Sequence, residues 1–380
     1  MWTPARVRRI LSRVGEGLLF ICPLFAYASV VVIAARGGGL GYDFHVFWKA
    51  AHAVAHGDSP YDPAGLANMG RVAQRDLSVP FPNAAWAVYP PALYALLIPL
   101  GLLPWPVAAT IGLSALAVTP ALALRVMGVR DWRCYFLAYA SPPIFTSIFL
   151  GAISTALMLG LAMIWRGRRV FAAGVGTIVA KLFLWPIAIV IAAVNGPRRA
   201  AALLIGAATC AIASWALIGF ADIGRYPQML SDLSAAEAHN SFSTTGLAFA
   251  LGLPLALGTY AGIVLGLAGA GLAYRAGMRG RRDEAFVLAL VAAFLMSPIV
   301  WMHYLTLLFV PLAARFPRFN AFWLVPLVLW TDWHQSADGD GWAFVGIWAC
   351  VAVIVTASVR PTRLPERLGT PQPAGGHGVG

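Results

Sequence analysis

The chain has 380 residues, 60% hydrophobic and only 11% charged. Soluble domains carry about a quarter charged residues, so a soluble core with one anchor is excluded. The net charge of +12 does not signal nucleic acid, because the arginines lie in short runs between apolar segments, the pattern that sets membrane topology.

Apolar stretches long enough to span hydrocarbon recur from Gly17 to Val359. The expected fold is therefore an all-α polytopic membrane protein, one domain over residues 1–359, with a Pro- and Gly-rich disordered cytoplasmic tail over 360–380. Cys22, Cys134, Cys210 and Cys350 show no paired spacing, so they predict neither a disulfide framework nor a metal knuckle. No Gly-rich phosphate loop opens a helix, and no soluble segment is large enough to bind a nucleotide.

In chain order, Arg6, Arg8, Arg9 and Arg13 hold the N-terminus in the cytoplasm, and Gly17–Ala35 reads as a retained signal-anchor. The first external loop, over 37–105, then carries juxtamembrane helices. After Asp43, one helical face gathers Phe44, Phe47, Trp48, Ala51 and Val54, and another gathers His45, Lys49, His52 and His56. Pro90–Leu103 is expected to lie in the outer leaflet, leaving Pro106–Arg125 to cross. Between Arg169 and Arg198 only two short half-helices fit, with Lys181 at their apex. Thr244–Leu257 reads as a second outer-leaflet helix before a crossing at Tyr260–Arg275, and Phe286–Ala314 as another hairpin with Ser297–Tyr304 at its apex. About 12 crossings result, with both termini cytoplasmic and the polar clusters outside.

Several residues are candidates for chemistry. Asp43 is read as a helix N-cap, as a general base, or as both, since a cap holds a carboxylate rigid and ionised. Lys181 is flanked by Ile178-Val179-Ala180 and Leu182-Phe183-Leu184, where a lysine costs about 3 kcal/mol to insert. It either snorkels to the interface or meets an anion. His303, between Trp301 and Tyr304, is a candidate proton donor or an interfacial belt member. His52 and His56 share a face, but two histidines leave a zinc site incomplete, so a solvated face is expected. Asp58 and Asp62 read as turn residues shaping the loop. His239, Asn240, Arg71 and Arg75 carry weaker signals.

These residues resemble, in order, glycosyltransferase family 87, the polyprenyl-phosphate-mannose-dependent mannosyltransferases of GT-C fold. The resemblance rests on Asp43 with Trp48-Lys49-Ala50-Ala51, on Gly57-Asp58-Ser59-Pro60-Tyr61-Asp62, and on Tyr89-Pro90-Pro91. Pro99–Pro104, the Gly151 turn, Lys181, and Ser297-Pro298 with Trp301, His303 and Tyr304 continue it, over about residues 15–320. Where the family shows a glutamine and an asparagine after the glycine, this chain has Ala152-Ile153-Ser154, leaving Ser154 as the one polar contact.

The resemblance implies a GT-C-like bundle and a polyprenyl-phosphate sugar donor, with a glycolipid or glycan acceptor among membrane lipids. No cofactor or metal is expected. The implied roles are Asp43 as base, with Lys181 and His303 on the phosphate leaving group. Trp48, Lys49, Tyr89, Ser154, His239, Asn240, Trp301 and Tyr304 are the candidate substrate contacts. A bacterial plasma membrane location with an outward-facing site follows, the arginine-over-lysine usage fitting a GC-rich bacterium. Two rival readings are a lipid flippase or transporter, whose broken helices also suit a binding site at the membrane midplane, and a lipid-linked glycan ligase.

Overall fold

The computed structural model describes residues 40–73, 86–332 and 341–359, with scattered positions between 4 and 28. The signal-anchor expected at Gly17–Ala35 falls largely outside the described residues, as do Arg75 and the tail from Arg360. Every described secondary-structure element is helical.

The first loop contributes α1 (Tyr42–Ala55) and α2 (Pro63–Ala73). Next come α3 (Pro91–Leu96) and α4 (Ile98–Gly101), too short to cross anything, as expected of Pro90–Leu103. The 22 residues of α5 (Trp105–Val126) make a helix about 33 Å long at 1.5 Å per residue, close to the hydrocarbon thickness of about 30 Å. A broken run follows as α6 (Trp132–Ala140), α7 (Pro142–Leu150) and α8 (Ser154–Trp165). Then α9 (Val170–Ala180) stops at Lys181, whose extended backbone (φ −143°, ψ 97°) breaks the helix. A 3-10 turn (Leu182–Leu184) leads to α10 (Ile187–Asn195), and both α9 and α10 pack on α11 (Pro197–Ala216). Beyond lie α12 (Tyr226–Ala236), α13 (Thr244–Ala250), α14 (Leu255–Met278) and α15 (Arg282–Met296). After irregular residues 297–301, a 3-10 stretch (Met302–Leu308) precedes α16 (Phe309–Arg315), and the last described helix is α17 (Gly341–Val359). Proline in the first turn of α3, α5, α7, α11 and α12 starts these helices where a backbone N–H would lack a partner anyway.

Among the described residues three helices, α5, α11 and α14, are long and apolar enough to cross a membrane alone. The other apolar segments, such as α8, α9 and α10, are shorter, so full-length helices do not supply about 12 crossings. The expected boundary after Thr244 also shifts. The helix there ends at Ala250, Gly252 turns with φ +67°, and the long helix begins at Leu255 rather than Tyr260. Proline at 254 cannot extend the first helix, which is the physical reason for the break.

The basic clusters converge at one end of the bundle. Arg166 donates to the carbonyls of Val126 and Met127 at 3.1 and 2.6 Å, and Arg282 to that of Trp165 at 2.7 Å. Asp131 accepts from the Phe319 amide at 3.1 Å, and the Arg133 guanidinium stands 4.7 Å above the Phe319 ring. At the opposite end of α5, Trp105 packs against Phe44, His45 and Trp48 of α1. Asp43 therefore sits about one helix length from the arginines.

Candidate active site

Two close approaches seat α1. A β-carbon on Gly112 would lie 2.0 Å from the Phe44 ring, and one on Gly151 would lie 2.6 Å from Phe44 Cβ. Gly151 also adopts φ +69°, and the Gly41 amide donates to the Phe149 carbonyl at 2.8 Å. Only glycine fits such contacts, so α1 nests into α5 and the α7–α8 turn with Phe44 as its buried peg. Ser154, the first residue of α8, is fully buried just after that turn.

Asp43 is the second residue of α1, not its N-cap. Gly41 occupies the cap with φ +71° and supplies no side-chain hydrogen bond. Among the described residues no hydrogen bond from a helix amide reaches the Asp43 carboxylate, which leaves it available to a ligand. Burial pushes the Asp43 carboxyl up to about 7; the Lys181 ammonium pulls against that shift, and the Glu237 carboxylate adds to it.

Lys181 is buried at the break after α9. Its ammonium donates to the Tyr304 hydroxyl and lies 4.2 Å from the ring centroids of both Tyr89 and Tyr304, and 5.6 Å from that of Trp301. Among the described residues no carboxylate forms an ion pair with it. A buried cation in direct contact with only a hydroxyl and aromatic faces, with Asp43 felt through space but forming no ion pair, favours an incoming anion. It opens on a cavity of about 200 Å³ walled by Tyr89, Lys181, Phe183, Leu230, Trp301 and Tyr304 among others. The His303 ring lies tilted against Trp301 and edge-on to Tyr304 at 5.5 and 4.9 Å, and its buried Nε2 has no hydrogen-bond partner among the described residues.

Tyr89 is positioned through its backbone. Tyr61 donates to the Tyr89 carbonyl at 2.9 Å, Tyr94 accepts from the Tyr89 amide at 3.0 Å, and Tyr226 donates to the Val88 carbonyl at 3.0 Å. The Gly57–Asp62 motif therefore acts as a brace. Ser59 reaches Asp222 at 2.8 Å, and Asp62 accepts from the Gly65 amide at 2.8 Å, the turn-shaping role its position predicts.

Asp43, Lys181, Tyr89, Trp301, His303 and Tyr304 thus come to one neighbourhood. Other candidates stand apart. Trp48 donates to the Leu103 carbonyl at 3.0 Å and packs with His45 and Trp105, away from Lys181. Lys49 and Arg71 are exposed. His239 turns back to the Ala236 carbonyl at 2.9 Å. His52 meets the Gly101 carbonyl at 3.1 Å and His56 meets the His52 carbonyl at 2.8 Å, so this face is hydrogen-bonded rather than only solvated. Among the described residues no three His, Cys, Asp or Glu side chains are grouped to hold a metal ion.

Sequence reasoning missed Glu237. It lies at the C-terminal end of α12, half-buried, and accepts from the Trp301 indole at 3.4 Å and from the Asn240 side chain. Burial raises its carboxyl above the ordinary range, while those two donors oppose the shift. An isolated glutamate within Ala235-Ala236-Glu237-Ala238, in a chain with only 15 acidic residues, was the available signal.

A family model, glycosyltransferase family 87, matches residues 86–301, more than half of the chain. The matched stretch holds Tyr89, Lys181, Glu237 and Trp301, while Asp43, His303 and Tyr304 lie outside it, so it is shorter than the motif order over about 15–320 implies. No curated protein and no solved structure matches the chain. With a match of this extent, the chain belongs to glycosyltransferase family 87 and is a glycosyltransferase.

Proposed function

We propose that the protein transfers a sugar, mannose as the first candidate, from a polyprenyl-phosphate donor to a hydroxyl of a cell-envelope glycolipid or glycan. The reaction takes place at the outer face of a bacterial plasma membrane. The observation that carries this reading is Lys181, a buried ammonium with no carboxylate partner among the described residues, on the wall of a largely apolar cavity. A lipid phosphate matches both properties, its charge meeting the lysine and its chain the apolar wall.

The step is a single displacement. Asp43, as carboxylate, takes the proton from the acceptor hydroxyl while that oxygen bonds to the anomeric carbon. The bond from that carbon to the phosphate oxygen breaks, and the polyprenyl phosphate leaves with the electron pair. Lys181 stabilises the charge that grows on it, with His303 as a further hydrogen-bond donor. One base and one displacement invert the anomeric centre, so a β-linked donor gives an α-linked product.

A phosphate monoester leaving group carries less charge than a diphosphate, and lysine with histidine suffices to meet it. Transfer is therefore expected to be insensitive to chelator. The deciding experiment incubates purified protein in lipid with polyprenyl-phosphate-mannose and an extract of envelope lipids. A new mannosylated product supports the reading. Intact donor that merely exchanges leaflets would replace it with a flippase.

A further inference from the structure

The displacement above leaves Glu237 and Asn240 unused, yet both stand at its edge. Glu237 accepts from the Trp301 indole at 3.4 Å and from the Asn240 side-chain amide. The Oδ1 atom of Asn240 is buried and has no hydrogen-bond donor among the described residues. The segment carrying them is stitched to the segment carrying Trp301. Phe242 donates its amide to the Val300 carbonyl at 2.8 Å, the Val300 amide donates to Ser241 Oγ at 3.0 Å, and Ser243 donates to the Pro298 carbonyl at 2.6 Å. The two acceptors and the indole are therefore carried on two segments fixed to each other. Trp301 lines the cavity beside Lys181, and Asp43, Tyr42 and Tyr304 all lie within reach of the Glu237 charge.

A carboxylate has about four acceptor positions, and two donors leave it unsaturated. An amide oxygen buried without a donor is unsatisfied outright. Together they offer acceptor capacity beside an aromatic face that lines the cavity. A ligand rich in hydroxyl donors with an apolar ring face complements that arrangement, and a sugar ring has both. We propose that Glu237 and Asn240 bind neighbouring hydroxyls of the transferred sugar, with the Trp301 indole as its platform, and so select which hexose is moved. The proposal rests on the transferase reading above.

The test measures kcat/KM for wild type, Glu237→Gln and Asn240→Ala with a series of polyprenyl-phosphate hexoses, each lacking one ring hydroxyl. Thermal melts verify that both variants fold, and either variant alone decides the question. With the intact donor each variant is expected to lose about 10- to 100-fold, the range for hydrogen bonds to charged or buried groups. With the donor lacking the hydroxyl that the residue holds, wild type is already impaired and the substitution adds little. An equal loss across all donors overturns the assignment and makes the residues merely structural. If wild type transfers from none of these donors, the donor reading falls and the assignment with it.

Discussion

The Lys181 ammonium and the Tyr89 ring face each other at 4.2 Å; Tyr61 and Tyr94 hold the backbone of Tyr89, and Tyr226 holds the carbonyl of Val88 before it. The family match covers both residues. A cation on one apolar segment is thus placed by an aromatic on another, and the brace behind that aromatic belongs to the first loop.

Asp43→Asn is expected to lower transfer by about 10²- to 10⁴-fold, the usual contribution of a positioned base. The fold should survive, because the carboxylate makes no cap hydrogen bond. Turnover with labelled donor, together with a thermal melt, measures both. Wild-type turnover would remove Asp43 from the mechanism.

The pH profile follows from the Asp43 carboxyl at about 7. A base works only when deprotonated, so kcat/KM should rise as pH increases through about 7. Among the charged groups facing Asp43, Lys181 holds the midpoint down and Glu237 holds it up. Glu237→Gln should therefore move the midpoint to lower pH, and Lys181→Met should move it higher. Profiles of all three proteins in one buffer series give the answer.

Lys181→Ala should cost about 10²-fold or more in kcat, by analogy with removal of a preorganised charge-stabilising donor. Donor affinity should weaken as well, because the phosphate is charged before and after transfer. Single-turnover kinetics separate the two effects. If neither changes, the anion partner of Lys181 is not the substrate.

Tyr61→Phe removes one hydrogen bond to the Tyr89 carbonyl, and a net loss of about 1 kcal/mol is expected. The residue touches no substrate in this reading, so the effect on kcat/KM should be a few-fold, far below that of Asp43→Asn. A drop as large as that of the base would make Tyr61 part of the reacting centre.

Gly112→Ala places a methyl group 2.0 Å from the Phe44 ring and should destabilise the protein by about 1–3 kcal/mol, the cost of overpacking. Adding Phe44→Leu should recover part of the melting temperature. Recovery of stability without activity would show that the ring itself aims Asp43.

Much of this arrangement was legible in the residues. A lysine among Ile178, Val179, Leu182 and Leu184 stands out in so apolar a run, and the structure buries it rather than letting it snorkel. The break at that lysine followed from basic runs at both ends of a segment too short for two full helices. Asp43 as a cap was not correct, because the neighbouring glycine turns the chain in the left-handed region and takes the cap position itself. The resemblance made Trp48 a candidate substrate contact, yet a motif position does not say what the side chain meets, and here the indole meets the Leu103 carbonyl. Glu237 escaped notice because its meaning depends on Trp301, 64 positions away in the chain.

Arg166 and Arg282 carry a second consequence. Each covers the exposed carbonyls at the end of a neighbouring helix, α5 for Arg166 and α8 for Arg282. Basic residues that the sequence suggests as topology determinants thus also join helices to one another. Lysine would preserve the charge needed for the first task but has no planar fork to grip two carbonyls at once. In a chain whose 27 basic residues include only two lysines, that preference need not be an accident of base composition. It gives these arginines a mechanical function in the folded bundle, whatever they do during insertion.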